Sequence, residues 1–158
     1  MARIKGRTVR ASVLAMAALV TGGLFLPGTA QAAGTPWSVT AYNGSTSIAK
    51  ANGDFANNGG VYATAGINMA DTSNNGSPVY VEVKFYFWTR PFIGAPEIWM
   101  EVDKKQTSRT SSAKYVTANV STRLRPSSSK ARASIMVCED RNNKADKCSA
   151  PSIVAFDY

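Results

Sequence analysis

The sequence has 158 residues and no histidine. That absence removes the Ser-His-Asp and Cys-His arrangements, the imidazole zinc sites and the side chain that most often serves as general base near neutral pH. Acidic residues are scarce too, with 10 Asp+Glu against 18 Lys+Arg, which gives a formal charge of +8 and a pI near 9.7. Taken whole, that balance resembles a small nucleic-acid binder. No serine sits in a Gly-x-Ser-x-Gly turn, no phosphate-binding glycine loop is present, and the acidic residues lack calcium-loop spacing. The carboxylates open to a glycosidase are Glu82, Glu97, Glu101 and Asp103. Glu97 and Glu101 fall on the outer face of one strand and read as solubilising charges. The expectation is therefore a protein that is not an enzyme, with no catalytic residue, no metal and no cofactor.

The basic surplus is unevenly placed. Arg3, Lys5, Arg7 and Arg10 precede an acid-free apolar run from Ala11 to Leu26, which Pro27 and Gly28 interrupt before the small residues of Ala30-Gln-Ala32. This is the pattern of a secretory signal peptide over residues 1–32, cut after Ala32. A membrane anchor fits less well, because Thr21-Gly-Gly23 divides the apolar run. The remaining chain, 33–158, carries 14 basic and 10 acidic residues, a net +4. Export places it in a secreted, extracellular setting, with no membrane role after cleavage.

An oxidising compartment favours a disulfide between Cys138 and Cys148, the only cysteines. Nine polar or small residues separate them, and apolar strand-like segments flank them. The bridge should clamp the base of a hairpin. The spacing does not match a Cys-x-x-Cys redox pair.

Beyond the leader the dominant period is two. Val79, Val81, Val83, Phe85 and Phe87 alternate with Tyr80, Glu82, Lys84, Tyr86 and Trp88, and Ile98, Met100 and Val102 alternate with Glu97, Trp99 and Glu101. Further strand-like segments occur at 61–69, 115–120, 131–138 and 153–156, separated by Asn-, Gly-, Ser- and Pro-rich turns. No window shows a helical stripe. The fold expected is all-β, a small antiparallel β-sandwich or barrel of six to eight strands with one disulfide-clamped hairpin, occupying 61–158.

Residues 33–60 differ in composition, being rich in Gly, Ser, Thr, Asn and Ala with few large apolar side chains. Trp37, Val39 and Ala41 nevertheless alternate with Ser38, Thr40 and Tyr42. Two readings stand: a first, edge strand of the sandwich, or an extended polar arm that pairs with a partner's exposed edge through Trp37, Val39, Ala41 and Tyr42.

Charge and aromatics suggest two further surfaces. Residues 33–103 are net −3 and 139–158 net −1, whereas 104–138 hold eight basic residues and no acid. Within that stretch Lys104, Lys105, Arg109, Arg123, Arg125 and Arg132 are candidates for a basic docking face. Tyr115 is its only aromatic, so base stacking lacks a platform and no nucleic-acid partner is expected. Tyr86, Trp88 and Trp99 form a second candidate, an aromatic patch for protein or sugar rings if their face is open, or core if the sheet is covered on both sides.

The extended Trp37-Ser-Val-Thr-Ala-Tyr-Asn-Gly44 start, the small β-domain and the two late cysteines resemble the small adaptor subunit of the umbrella toxin particles, secreted antibacterial complexes of filamentous soil bacteria. The resemblance covers the layout of residues 33–158 and contains no family-specific motif. It implies a non-catalytic adaptor that joins a helical-repeat toxin to a lectin-bearing subunit, with the segment from Trp37 to Tyr42 as an inserted strand. The function expected is thus a secreted protein-binding adaptor whose partners are other secreted proteins. A carbohydrate-binding module using Tyr86, Trp88 and Trp99 is the alternative, as is a protease inhibitor presenting the loop Arg90-Pro-Phe-Ile-Gly-Ala-Pro96.

Overall fold

The computed structural model describes residues 34–158, so the leader and its cleavage point lie outside the described residues. Those residues form nine strands in two antiparallel sheets, with no helix. The first sheet has the order β1-β2-β3-β6, from β1 (Thr35–Asn43), β2 (Thr46–Asn58), β3 (Tyr62–Asp71) and β6 (Val116–Arg123). The second is built from β5 (Ile98–Gln106), β4 (Val79–Thr89) and β7 (Lys130–Glu139), with β8 (Lys147–Cys148) and β9 (Ser152–Asp157) sharing the far edge of β7. Pro151 lies between those last two strands, where a residue without an N–H cannot continue a ladder. Ser149 bridges the gap: its N–H donates to the Val137 carbonyl, and its hydroxyl accepts from the Val137 N–H.

The expected alternation in β4 is obeyed, and Val79, Val81, Val83, Phe85 and Phe87 all lie in the core. They face a first sheet whose inward positions set Ala41, Ala49, Ala51, Ala63 and Ala65 among Val39, Ile48, Ile67 and Met69. Two aromatic residues complete the core from that side. Phe55 packs with its ring centroid 6.2 Å from Phe85 and 4.8 Å from Phe156. Trp37 lies across from Gly53 in the β1–β2 register, and a Cβ added at Gly53 would stand 3.1 Å from the indole and collide with the carbonyl of Gly66. Glycine here is a requirement of close approach. The Trp37 indole N–H has no acceptor, so its burial rests on ring packing alone.

Of the two readings of residues 33–60, the structure has the edge strand, since β1 forms one edge of the first sheet. Trp37 is only 5% exposed, and Val39 and Ala41 are buried with it. Only Tyr42, 54% exposed beyond a register shift between Ala41 and Tyr42, turns outward. The polar segment after it is β2, the longest strand, and residue 60 falls in the turn between two strands of one sheet instead of at a boundary. Strands β2 and β8 bring the number among the described residues to nine, against the six to eight expected.

The sides of the sandwich are tied by polar contacts. Thr35 donates through Oγ1 to the carbonyl of Ala155 in β9, and Lys105 of β5 donates to the carbonyl of Ser121 in β6. The disulfide joins Cys138 and Cys148, which are directly paired across β7 and β8. It clamps a hairpin base as expected.

Two outcomes are expected from thermal unfolding. Trp37→Ala should cost about 3–5 kcal/mol, the range for removing a buried large aromatic, and an unchanged midpoint would return β1 to the status of an arm. Replacing Cys138 and Cys148 by alanine should cost about 3 kcal/mol through the loop closure lost from the unfolded chain.

Candidate binding surfaces of the second sheet

Because inward and outward positions alternate, β4 places Tyr80, Glu82, Lys84, Tyr86 and Trp88 on the outer face of the second sheet. In β5, Trp99 stands opposite Trp88 and Glu101 opposite Tyr86, after which the register shifts between Phe85 and Tyr86. The shift reverses parity. Lys104 and Gln106 join the outer face opposite Lys84 and Glu82, while Asp103 and Lys105 turn toward the other sheet. On the other side of β4, Arg132 of β7 is opposite Tyr86 and Ser134 opposite Lys84.

The three aromatics are half-buried and organised around Arg132. Its guanidinium lies 4.6 Å from the Trp99 ring centroid and 4.9 Å from that of Tyr86. Trp88 meets Trp99 edge-on, with centroids 5.3 Å apart. The Trp88 indole donates to Glu97 at 2.8 Å, and the Tyr86 hydroxyl donates to Glu101 at 3.2 Å. Partial burial, and then the Glu101 hydrogen bond and charge, push the Tyr86 phenol above its ordinary value, so it remains a donor. The patch is therefore neither core nor loose surface: each ring is fixed by a charged neighbour.

Beside it Glu82, only 8% exposed, accepts from Lys104 and from Gln106, each at 2.9 Å. Burial pushes its carboxyl up, but the hydrogen bonds from Gln106 and Lys104 and the lysine charges outweigh this, and its pKa lies below the ordinary value.

The six candidate basic residues do not form one face. Lys104 pairs with Glu82 and Lys105 with Asp103, while Arg109 forms an ion pair with Asp140 and lies 5.0 Å from the Tyr80 ring centroid. Arg123 ends β6 in the other sheet, and Arg125 just beyond it stands 5.9 Å from the Phe87 ring centroid. Lys104 and Arg132 stand on strands of the outer face of the second sheet, and Arg109 reaches over Tyr80 at the far end of that face. Antiparallel pairing brings acids from both flanks across to the basic segment, so much of its charge is met inside the molecule.

Two further features stand out: the loop from Arg90 to Pro96, named above only as an inhibitor's loop, and a polar cluster that was not singled out in the sequence. At the tip of the β4–β5 connection Phe92 is 71% exposed and Ile93 fully so, above a turn closed by the Ala95 N–H on the Phe92 carbonyl, with Gly94 at φ +87°. Arg90 and Glu97 approach to 3.7 Å at its base, so the Glu97 that holds Trp88 also ties down the loop. The available signal was two large apolar residues, Phe92 and Ile93, between Pro91 and Gly94.

The second feature lies near the disulfide, where Glu139 and Asp71 are buried and bridged by the Ser73 hydroxyl. Glu139 also accepts from Asn75 at 2.6 Å and stands 3.9 Å from Arg141, in a polar depression that includes Asn43 and Lys144. Its oxygens serve internal donors, so the arrangement joins the sheets. Among the described residues, no group of three or more His, Cys, Asp and Glu could hold a metal, and no helix is long and apolar enough to cross a membrane. In comparisons with family models, curated proteins and solved structures, nothing matches this chain.

Glu82 gives the face a pH signature. Since its folded-state pKa is depressed, its contribution is present above the ordinary glutamate range and is lost as pH falls through the folded-state value. Urea midpoints measured from about pH 7 down to about pH 3 should show a flatter acid limb for Glu82→Gln than for the parent.

Proposed function

We propose that the chain is a secreted, non-catalytic adaptor that docks a protein partner through the apolar tip of its β4–β5 connection. The exposure of Phe92 and Ile93 carries this reading. Burying each would contribute about 1.5–3 kcal/mol, enough together for a small anchor in a partner's pocket. The tip is held at both ends, by Pro91 and Pro96 and by the Arg90–Glu97 pair, so little loop freedom is lost on docking.

The disulfide is compatible with export, which the leader in the sequence supports. The resemblance to the adaptor of the umbrella toxin particles supports the same class of role within an antibacterial complex. The insertion mode differs from the one that resemblance implies, since withdrawing β1 would take Trp37, Val39 and Ala41 out of the core. A protease-inhibitor role is less well supported, because the loop turns back between Phe92 and Ala95 instead of running extended.

The test compares tagged parent and Phe92→Ser/Ile93→Ser chains in affinity capture from the culture medium of the producing organism. The parent should retain a stoichiometric secreted partner, and the double variant should lose it at an unchanged thermal midpoint. Capture of the same partner by both chains, or of none by the parent, would overturn the reading.

A further inference from the structure

The outer face of the second sheet has a composition that the apolar tip does not explain. Trp88, Trp99 and Tyr86 stand on the solvent side of β4 and β5, where they contribute nothing to the core between the sheets. Their polar atoms are already engaged, Trp88 with Glu97 and Tyr86 with Glu101, which fixes the rings in advance of any ligand. Preorganised rings on a sheet face are the usual platform for a sugar's apolar side.

Charge decides which sugar. Each glutamate of the face is occupied: Glu82 by Lys104 and Gln106, Glu97 by Trp88 and Arg90, and Glu101 by Tyr86. Two cations are not. No carboxylate among the described residues lies within ion-pair distance of Arg132 or Lys84, although both sit on this face beside Tyr86. Arg132 lies over the Trp99 and Tyr86 rings, which place its guanidinium, while its N–H groups make no ion pair. A planar fork of this kind suits a carboxylate better than a lysine ammonium does. From Lys84 to Trp88 the strand runs about 13 Å at its ordinary rise, long enough for several linked sugars instead of one.

We propose that this face binds an acidic polysaccharide of the uronate type, with Trp99 and Trp88 as ring platforms, Arg132 as the carboxylate clamp and Lys84 as a second cationic contact. The site lies apart from the protein-docking tip in its chemistry and does not depend on that reading. It would let an adaptor hold a charged extracellular polymer and a protein partner at once.

The experiment measures binding of the secreted chain to polygalacturonate oligosaccharides, with neutral cello-oligosaccharides and inorganic polyphosphate as comparators. The uronate should bind and the other two should not. Arg132→Ala and Trp99→Ala should each weaken binding about ten-fold or more, with Arg132→Lys restoring only part of the loss. Thermal midpoints identify variants that merely fail to fold, and Trp88→Phe provides a milder change to the platform. The Phe92→Ser/Ile93→Ser chain should bind the uronate as the parent does, which separates failure of this site from failure of the docking tip. Equal binding of the neutral glucan would overturn the role of Arg132. Equal binding of polyphosphate with full rescue by Arg132→Lys would reduce the face to bare charge, and no binding of the uronate would overturn the proposal.

Discussion

The structure depends on how the inner faces of its two sheets interdigitate. The second sheet sends a ladder of valines and phenylalanines inward, and the first answers with alanines set among Val39, Ile48, Ile67 and Met69. Close packing then requires that the aromatic residues of the first sheet stand where that ladder leaves room. Phe55 does so against Phe85 and Phe156, and Trp37 does so over Gly53. The same constraint makes β1 part of the core. A strand that supplies one of the largest buried rings cannot also be released to a partner, so any adaptor function has to use surfaces that the core does not need.

Electrostatics follow from the same pairing. Antiparallel neighbours and one register shift in β5 bring Glu82 and Asp103 to Lys104 and Lys105, and the hairpin beyond the disulfide brings Asp140 to Arg109. Half of the basic residues of the stretch 104–138, Lys104, Lys105, Arg109 and Lys130, are thereby paired from within. Among those left without an ion pair, Arg132 lies over two aromatic rings on the outer face of the second sheet, next to Lys84 of β4.

Much of the architecture was legible. The alternation in β4 named both its core residues and its outward aromatics, and the cysteines lay between strand-like segments that pair as expected. Strand β2 was not legible, because Ala49, Ala51 and Gly53 carry almost no hydrophobic signal, and Gly53 matters only because Trp37 and the carbonyl of Gly66 occupy the space beside it. For the aromatic patch, the residues could be named but not their state. Alternation placed Trp88 and Trp99 on one side of their strands, yet it could not say that Glu97 and Arg132 would hold them there.

By itself, the sequence determined that this is an all-β chain with one disulfide, without imidazole chemistry, and with Tyr86 and Trp88 on the face of β4 opposite Phe85 and Phe87. These properties follow from residue identity and from a period of two, and both are local. The tertiary structure alone decided which residues of the N-terminal segment are core, which charges cancel and where apolar surface remains open. Those outcomes depend on contacts between residues far apart in the chain, whose register is set by strand pairing, by the shift in β5 and by the space that one sheet leaves for the other.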